Sequence, residues 1–184
     1  MKAPNPIDVV ERAYQLEGSD DAWLRDVMEN VAPLLDGGCG LIGYAYDIAI
    51  PSSVWLDKAV SIGLTDEQMT IMKRVLDTYG KDQVNRMQRA PVPLSTLVEA
   101  STATGTENPL TFGPFASYLK RLDACDAAAL RTIEPGGRGI VLCGFQKQPR
   151  TFERRTKALW AKVSTHLAAG RRLREEARAV EAVL

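Results

Sequence analysis

The sequence is poor in the residues on which most catalytic and metal chemistry depends: one histidine, His166, and three cysteines, Cys39, Cys125 and Cys143, in 184 residues. A Ser-His-Asp triad, a His-rich metal site or a two-histidine acid-base pair is excluded unless His166 serves alone. The cysteines have no C-x-x-C spacing and sit among apolar or small neighbours, which points to reduced, partly buried thiols rather than bridges or a zinc site. No apolar run approaches the roughly 20 residues of a membrane span, and residues 1–6 carry no signal-peptide stretch. Net charge is missing too, since 23 Lys plus Arg balance 23 Asp plus Glu, and no overall field steers the molecule toward nucleic acid or an anionic membrane. The expectation is a cytoplasmic chain without a membrane partner. What is present, 45% apolar and 7% aromatic residues, is ordinary globular composition, long enough for one domain with its own core.

Helical periodicity marks residues 7–16, with Ile7, Val10 and Tyr14 on one side and a stop at Gly18. A second helix follows, capped by Ser19 or Asp20, with Trp23, Leu24, Val27, Val31, Leu34 and Leu35 on one face. Pro33 is expected to bend it or end it early. Residues 40–48 lose the helical stripe and read as a strand through Leu41, Ile42, Tyr44, Tyr46 and Ile48. Residues 51–53 read as a turn and 54–62 as a second strand, the two pairing as a hairpin. Thr65 opens a helix in a capping box with Gln68, carries Met69, Met72, Val75, Leu76 and Tyr79 on one face, and stops at Gly80. A shorter helix over 81–90 turns Val84 and Met87 inward. Residues 90–111, rich in Pro, Ser, Thr and Gly, read mostly as loop with a short strand near 94–99. A helix over 112–122 turns Phe115, Tyr118, Leu119 and Leu122 inward. The runs 127–133 and 139–145, separated by Glu134, Pro135, Gly136, Gly137 and Arg138, read as a hairpin.

Residues 151–184 contain no Pro and one Gly, and predict a helix of about 33 residues, roughly 50 Å long. Thr156, Leu159, Val163, His166, Gly170, Leu173, Ala177, Val180 and Leu184 alternate at spacings of three and four, an a/d seam. The first half of this helix is expected to pack on the sheet through Phe152, Trp160, Val163 and Leu167. The second half is expected to meet a second copy of the chain, with Leu159, Val163, His166, Leu173 and Val180 at the dimer interface. Charge is asymmetric here: residues 147–178 hold ten basic residues against three acids, a local balance of +7, so the remainder carries −7. A solvated basic face accounts for this more simply than direct DNA contact, and the helix could also lie against an acidic sheet or against the partner subunit.

Gly38, Cys39, Gly40, Leu41, Ile42 and Gly43 spell the glycine pattern of a dinucleotide-binding turn, but that turn needs a strand before it and a helix after, and here the order is reversed. Asp123 and Asp126 read as turn or capping residues rather than a catalytic pair. No reaction, and no cofactor, is assignable from these residues.

The order of elements resembles that of the GAF and PAS class of sensory modules, an α+β fold with an antiparallel sheet flanked by helices and a long C-terminal signalling helix. Residues 1–150 would form the GAF-like core and 151–184 the helix. Two stretches carry a closer resemblance. Asp126 to Leu142 (DAAALRTIEPGGRGIVL) resembles the D-x-L-x-L-x-A-x-D-P-x-G-x-G-x-x-L hairpin, and Trp160 to Arg174 (WAKVSTHLAAGRRLR) resembles the W-x-x-x-x-x-H-L-A-A-x-x-R-L-R helix, of N-terminal sensory regions in LuxR-type helix-turn-helix regulators of the myxobacterial type. Residues 10–35 are similar as well, and the three stretches cover about half the chain. Glu134 stands where that family usually has Asp, and Gly170 is less usual in the helix. The resemblance implies a sensory domain of a transcriptional regulator, not an enzyme, whose DNA contact belongs to a helix-turn-helix absent from this chain; the chain is then a sensor cut from a larger regulator or a stand-alone relative. In such a cup, a subset of the aromatic and sulfur side chains lines a cavity for a small ligand: Tyr44, Tyr46, Trp55, Met72, Phe112, Phe115, Tyr118 and Cys143. The alternatives are core packing for these residues and a non-sensing dimerisation module for the whole.

Overall fold

The computed structural model describes residues 4–182 apart from Phe112, with the backbone alone at Ser53 and Lys81. Helices α1 (Pro6–Ala13) and α2 (Asp20–Leu35) lead into strand β1 (Gly38–Asp47), followed by α3 (Ser52–Asp57), β2 (Val60–Ile62), α4 (Asp66–Tyr79) and α5 (Lys81–Gln88). Then come β3 (Leu94–Thr96), α6 (Leu97–Thr104), α7 (Gly113–Arg121), the hairpin β4 (Asp126–Arg131) and β5 (Arg138–Gln146), and α8 (Arg154–Glu181). The strands form one sheet in the order β2-β1-β5-β4-β3, every neighbour antiparallel. The architecture is α+β, a five-stranded antiparallel sheet with helices on both faces.

Strand alternation divides the core in two. Leu41, Ile140, Leu142, Ala128, Leu130 and Leu94 face α1, α2 and α8, where they meet Val27, Met28, Leu35, Trp160 and Leu167. Ile42, Tyr44, Tyr46, Val141, Cys143, Phe145, Ala127 and Ala129 face α3 to α7.

Several boundaries differ from the sequence reading, each for a local reason. The expected strand over 54–62 is α3 plus the three residues of β2. Adjacent Trp55 and Leu56 are both buried, together with Ser52, which a helical turn achieves and period-two alternation does not. Val60–Ile62 still pairs antiparallel with β1, Leu41 opposite Ile62. The expected loop after residue 96 is α6, opened by a second capping box: Glu99 N–H donates to Thr96 Oγ1 (3.2 Å), and Thr96 N–H donates to Glu99 Oε2 (3.1 Å). Pro33 does not end α2, because Leu34 and Leu35 beyond it are anchored in the core. The capping box at Thr65 and Gln68 is present as expected.

Helix α8 differs most from its reading. Its first half covers the sheet as expected, and its second half also packs on its own chain, through residue 178. Gly170 abuts the backbone of Ala13 so closely that a Cβ would overlap its carbonyl, which lets α1 cross α8. Arg171 donates to Glu134 (Nη2 to Oε1, 2.7 Å) and to Glu175, the first pair buried. Arg174 donates to the carbonyls of Gln15 (2.6 Å), Glu17 (3.1 Å) and Gly18 (2.8 Å) and to Asp20 (3.3 Å), and its guanidinium lies 5.3 Å from the Trp23 ring centroid. These carbonyls lie beyond the end of α1, in the turn that leads to α2, so one arginine holds that turn against α8. Two of the ten basic residues, Arg171 and Arg174, are therefore buried against their own chain, while Arg154, Arg155, Lys162 and Arg172 are exposed.

Candidate functional site

Between the sheet and α4 to α7 lies a cavity of about 60 Å³. Its floor is Ile42 and Tyr44 of β1, Val141 and Cys143 of β5, and Ala129 and Arg131 of β4. Met72 and Leu76 of α4, Met87 and Gln88 of α5, Leu97 of α6 and Phe115 of α7 close over it. Ala129 stands where a larger residue would fill the space. At roughly 10–15 Å³ per water-sized occupant, the volume accepts a small molecule of about four to six heavy atoms.

The lining is mostly apolar, and its polar side chains are Tyr44, Tyr79, Gln88 and Arg131. Arg131 is 2% exposed, and its Nη1 donates to Ser95 Oγ at 2.8 Å. Gln88 donates from Nε2 to the Tyr44 hydroxyl at 3.1 Å, while its buried Oε1 has no partner among the described residues. The ionisable groups near enough to act on Arg131 are the Cys143 thiol and the Tyr44 and Tyr46 phenols. Burial pushes the Cys143 thiol and the Tyr46 phenol up to about 12 each, and Tyr44 up as well, so all three stay neutral at ordinary pH. Burial also lowers the pKa of Arg131 itself. A guanidinium nevertheless keeps its charge, and this one has no carboxylate in salt-bridge range among the described residues.

Of the residues proposed from the sequence, Tyr44, Met72, Phe115 and Cys143 line this cavity together. Tyr118 lies behind it, packed between Phe115 and Phe145 at centroid distances of 6.1 and 5.7 Å. Tyr46 and Trp55 pack on one another (5.7 Å) beside the cavity, Trp55 also stacking on Tyr44 (6.4 Å). Tyr46 donates to the Thr132 carbonyl (2.8 Å) and Trp55 to the Asp47 carbonyl (2.9 Å), and both border a separate surface groove with Asp20, Arg138, Arg171 and Glu175. Phe112 lies outside the described residues. The sequence reading missed Arg131, Gln88 and Leu97. For Arg131 a signal was present: a lone charge inside the apolar run 127–133, in phase with Ala127 and Ala129.

The five residues proposed for a dimer interface separate into two groups. Val163 is buried against its own chain, as is Gly170 one heptad on, because α1 occupies that face. Leu159, His166, Leu173 and Val180, spaced by seven, are all exposed. His166 Nδ1 hydrogen-bonds the Tyr14 hydroxyl at 2.9 Å. Gly38 and Gly40 take positive φ (90° and 89°) at the start of β1, and a strand rather than a helix follows them. The Asp126 carboxylate, buried at the start of β4, accepts from the Ala127 N–H (2.7 Å) and from the backbone of Leu97. All three cysteines are free, with Cys39 and Cys143 buried and Cys125 exposed. Among the described residues no group of three or more His, Cys, Asp or Glu could hold a metal, and no helix is long and apolar enough to cross a membrane.

Comparison of this chain with protein-family models, with curated proteins and with solved structures finds no significant match.

Proposed function

We propose that the chain is a GAF-like sensory domain of a transcriptional regulator: a small ligand occupies the cavity between the sheet and α4 to α7, and α8 carries the response. The cavity is the observation that carries this reading, since concave apolar space with a few converging polar groups is where a small ligand is held. The resemblance to LuxR-type sensory regions, the antiparallel sheet with helices on both faces and the long terminal helix support it.

The cavity and α8 lie on opposite faces of the sheet, and two ion pairs join them. Lys157 of α8 donates to Glu99 (2.6 Å) at the start of α6, whose first residue, Leu97, lines the cavity. Arg171 of α8 pairs with Glu134, three residues beyond Arg131 on the same chain segment. A ligand that favours one packing of α6 and β4 would shift the population of α8 positions through these pairs.

The test uses isobutanol, isobutyramide and isobutyrate as probes, with thermal shift and hydrogen exchange of the α8 amides as readouts. The expected result is that at least one probe binds the wild type and changes exchange in α8, and that Ala129→Leu, which fills the cavity, abolishes both while remaining folded. Failure of all three to bind overturns the sensory reading.

The second reading, a non-sensing dimerisation module, is favoured by one observation, the exposed stripe Leu159, His166, Leu173 and Val180 at heptad spacing. There Leu173→Glu would turn a dimer into a monomer in native mass spectrometry without unfolding it. A monomeric wild type removes this reading.

A further inference from the structure

Resting on the ligand-binding reading above, we infer that the cavity selects a small monoanion, a carboxylate with a compact branched or cyclic apolar body, and that Arg131 is the group that binds it. The structure supplies the anion's side of the site and omits the protein's own counter-charge. Arg131 is buried, lines the cavity and uses one of its five N–H donors on Ser95. Elsewhere in this molecule a buried arginine is met by carboxylates or carbonyls: Arg171 has Glu134 and Glu175, and Arg174 has three backbone carbonyls and Asp20. A guanidinium desolvated with one neutral hydroxyl as its acceptor and no carboxylate opposes folding, and a planar carboxylate is the ligand group whose two oxygens match its fork.

Gln88 adds a second donor. Its Nε2 meets the Tyr44 hydroxyl while Oε1 is unpartnered, and turning the amide over lets the hydroxyl donate to Oε1 and frees Nε2 for the ligand. The remaining walls, Met72, Leu97, Phe115 and Val141 among them, are apolar and suit a hydrocarbon body. The volume of about 60 Å³ limits that body to a few carbons and excludes nucleotides and acyl chains of lipid length. A dianion such as a phosphate monoester is disfavoured because a single buried arginine balances one charge.

The experiment measures binding of isobutyrate and of its neutral isostere isobutyramide by calorimetry, to the wild type and to Arg131→Met. The inference expects isobutyrate to bind the wild type at least about tenfold more tightly than the amide, and that preference to vanish in Arg131→Met while the amide still binds. It also expects Arg131→Met without ligand to melt at or above the wild-type temperature, because the arginine serves a ligand rather than the fold. Equal binding of acid and amide by the wild type, or an unchanged acid preference in the variant, overturns the anion assignment and leaves the sensory reading standing. An unfolded or strongly destabilised Arg131→Met also overturns it, by making the residue structural. Binding of neither probe nor isobutanol is the separate result that removes the sensory reading itself.

Discussion

Arg174 and Arg131 are buried to the same depth, 1% and 2% exposed, on opposite sides of the molecule, and they are treated in opposite ways. On the α1, α2 and α8 side, Arg174 gathers the α1–α2 turn and the Trp23 ring around one guanidinium. On the α3 to α7 side, Arg131 has a single hydroxyl, and Gln88 Oε1 and the Tyr118 hydroxyl are buried without partners among the described residues. Buried polar groups are nearly always satisfied, so a cluster of unmet ones marks where a fold gives up stability for something else. One face of the sheet is built to hold a helix in place, and the other retains room and a charge.

The most disruptive break of this comparison is Arg174→Met. It leaves the carbonyls of Gln15, Glu17 and Gly18 without their buried donor and should destabilise by about 3–5 kcal/mol in chemical denaturation. Next is Gly170→Ala, which gains helix propensity but drives a methyl into the Ala13 backbone; a net loss of about 1–3 kcal/mol is expected, with faster hydrogen exchange in α1. If either variant is as stable as the wild type, α8 is not clamped by the α1–α2 side.

The cavity side should show itself through alkaline pH. Cys143 has its pKa raised by burial from 9.0 to about 12, so between these values the folded state keeps a proton that the unfolded chain has lost. Fewer protons bound in the unfolded state means that stability falls as pH rises, by about 1.4 kcal/mol for this group at pH 10, and the buried tyrosines add to the loss as pH climbs further. Cys143→Ala should flatten that slope near pH 9–10. The smallest effect has the opposite sign: Arg131→Met, removing an unmatched buried charge, should raise stability by up to about 1 kcal/mol. The same change made to both arginines, destabilising at 174 and neutral or stabilising at 131, is the sharpest form of the comparison.

Periodicity and caps made most of the fold legible. The faces of α2, α4 and α7, the capping box at Thr65 and the β4–β5 hairpin are local patterns, and local energetics decide them. Thr96 and Glu99 form the same box, yet the surrounding Ser, Thr and Gly composition concealed α6. Tyr44, Met72, Phe115 and Cys143 could be proposed as cavity residues because large and sulfur-bearing side chains on strands and covering helices face inward.

What the sequence determined by itself is therefore the set of elements and the two apolar faces of the sheet, since both follow from spacings of two and of three to four along the chain. The tertiary structure decided which buried charges find partners. Arg131 and Ser95 are 36 residues apart and Arg174 and Gly18 are 156 apart, and such contacts carry no signature in either neighbourhood. For the same reason the long helix could not be read to its end. Its seam is equally compatible with a second copy and with α1, and the absence of a Cβ at Gly170 allows α1 to take that face.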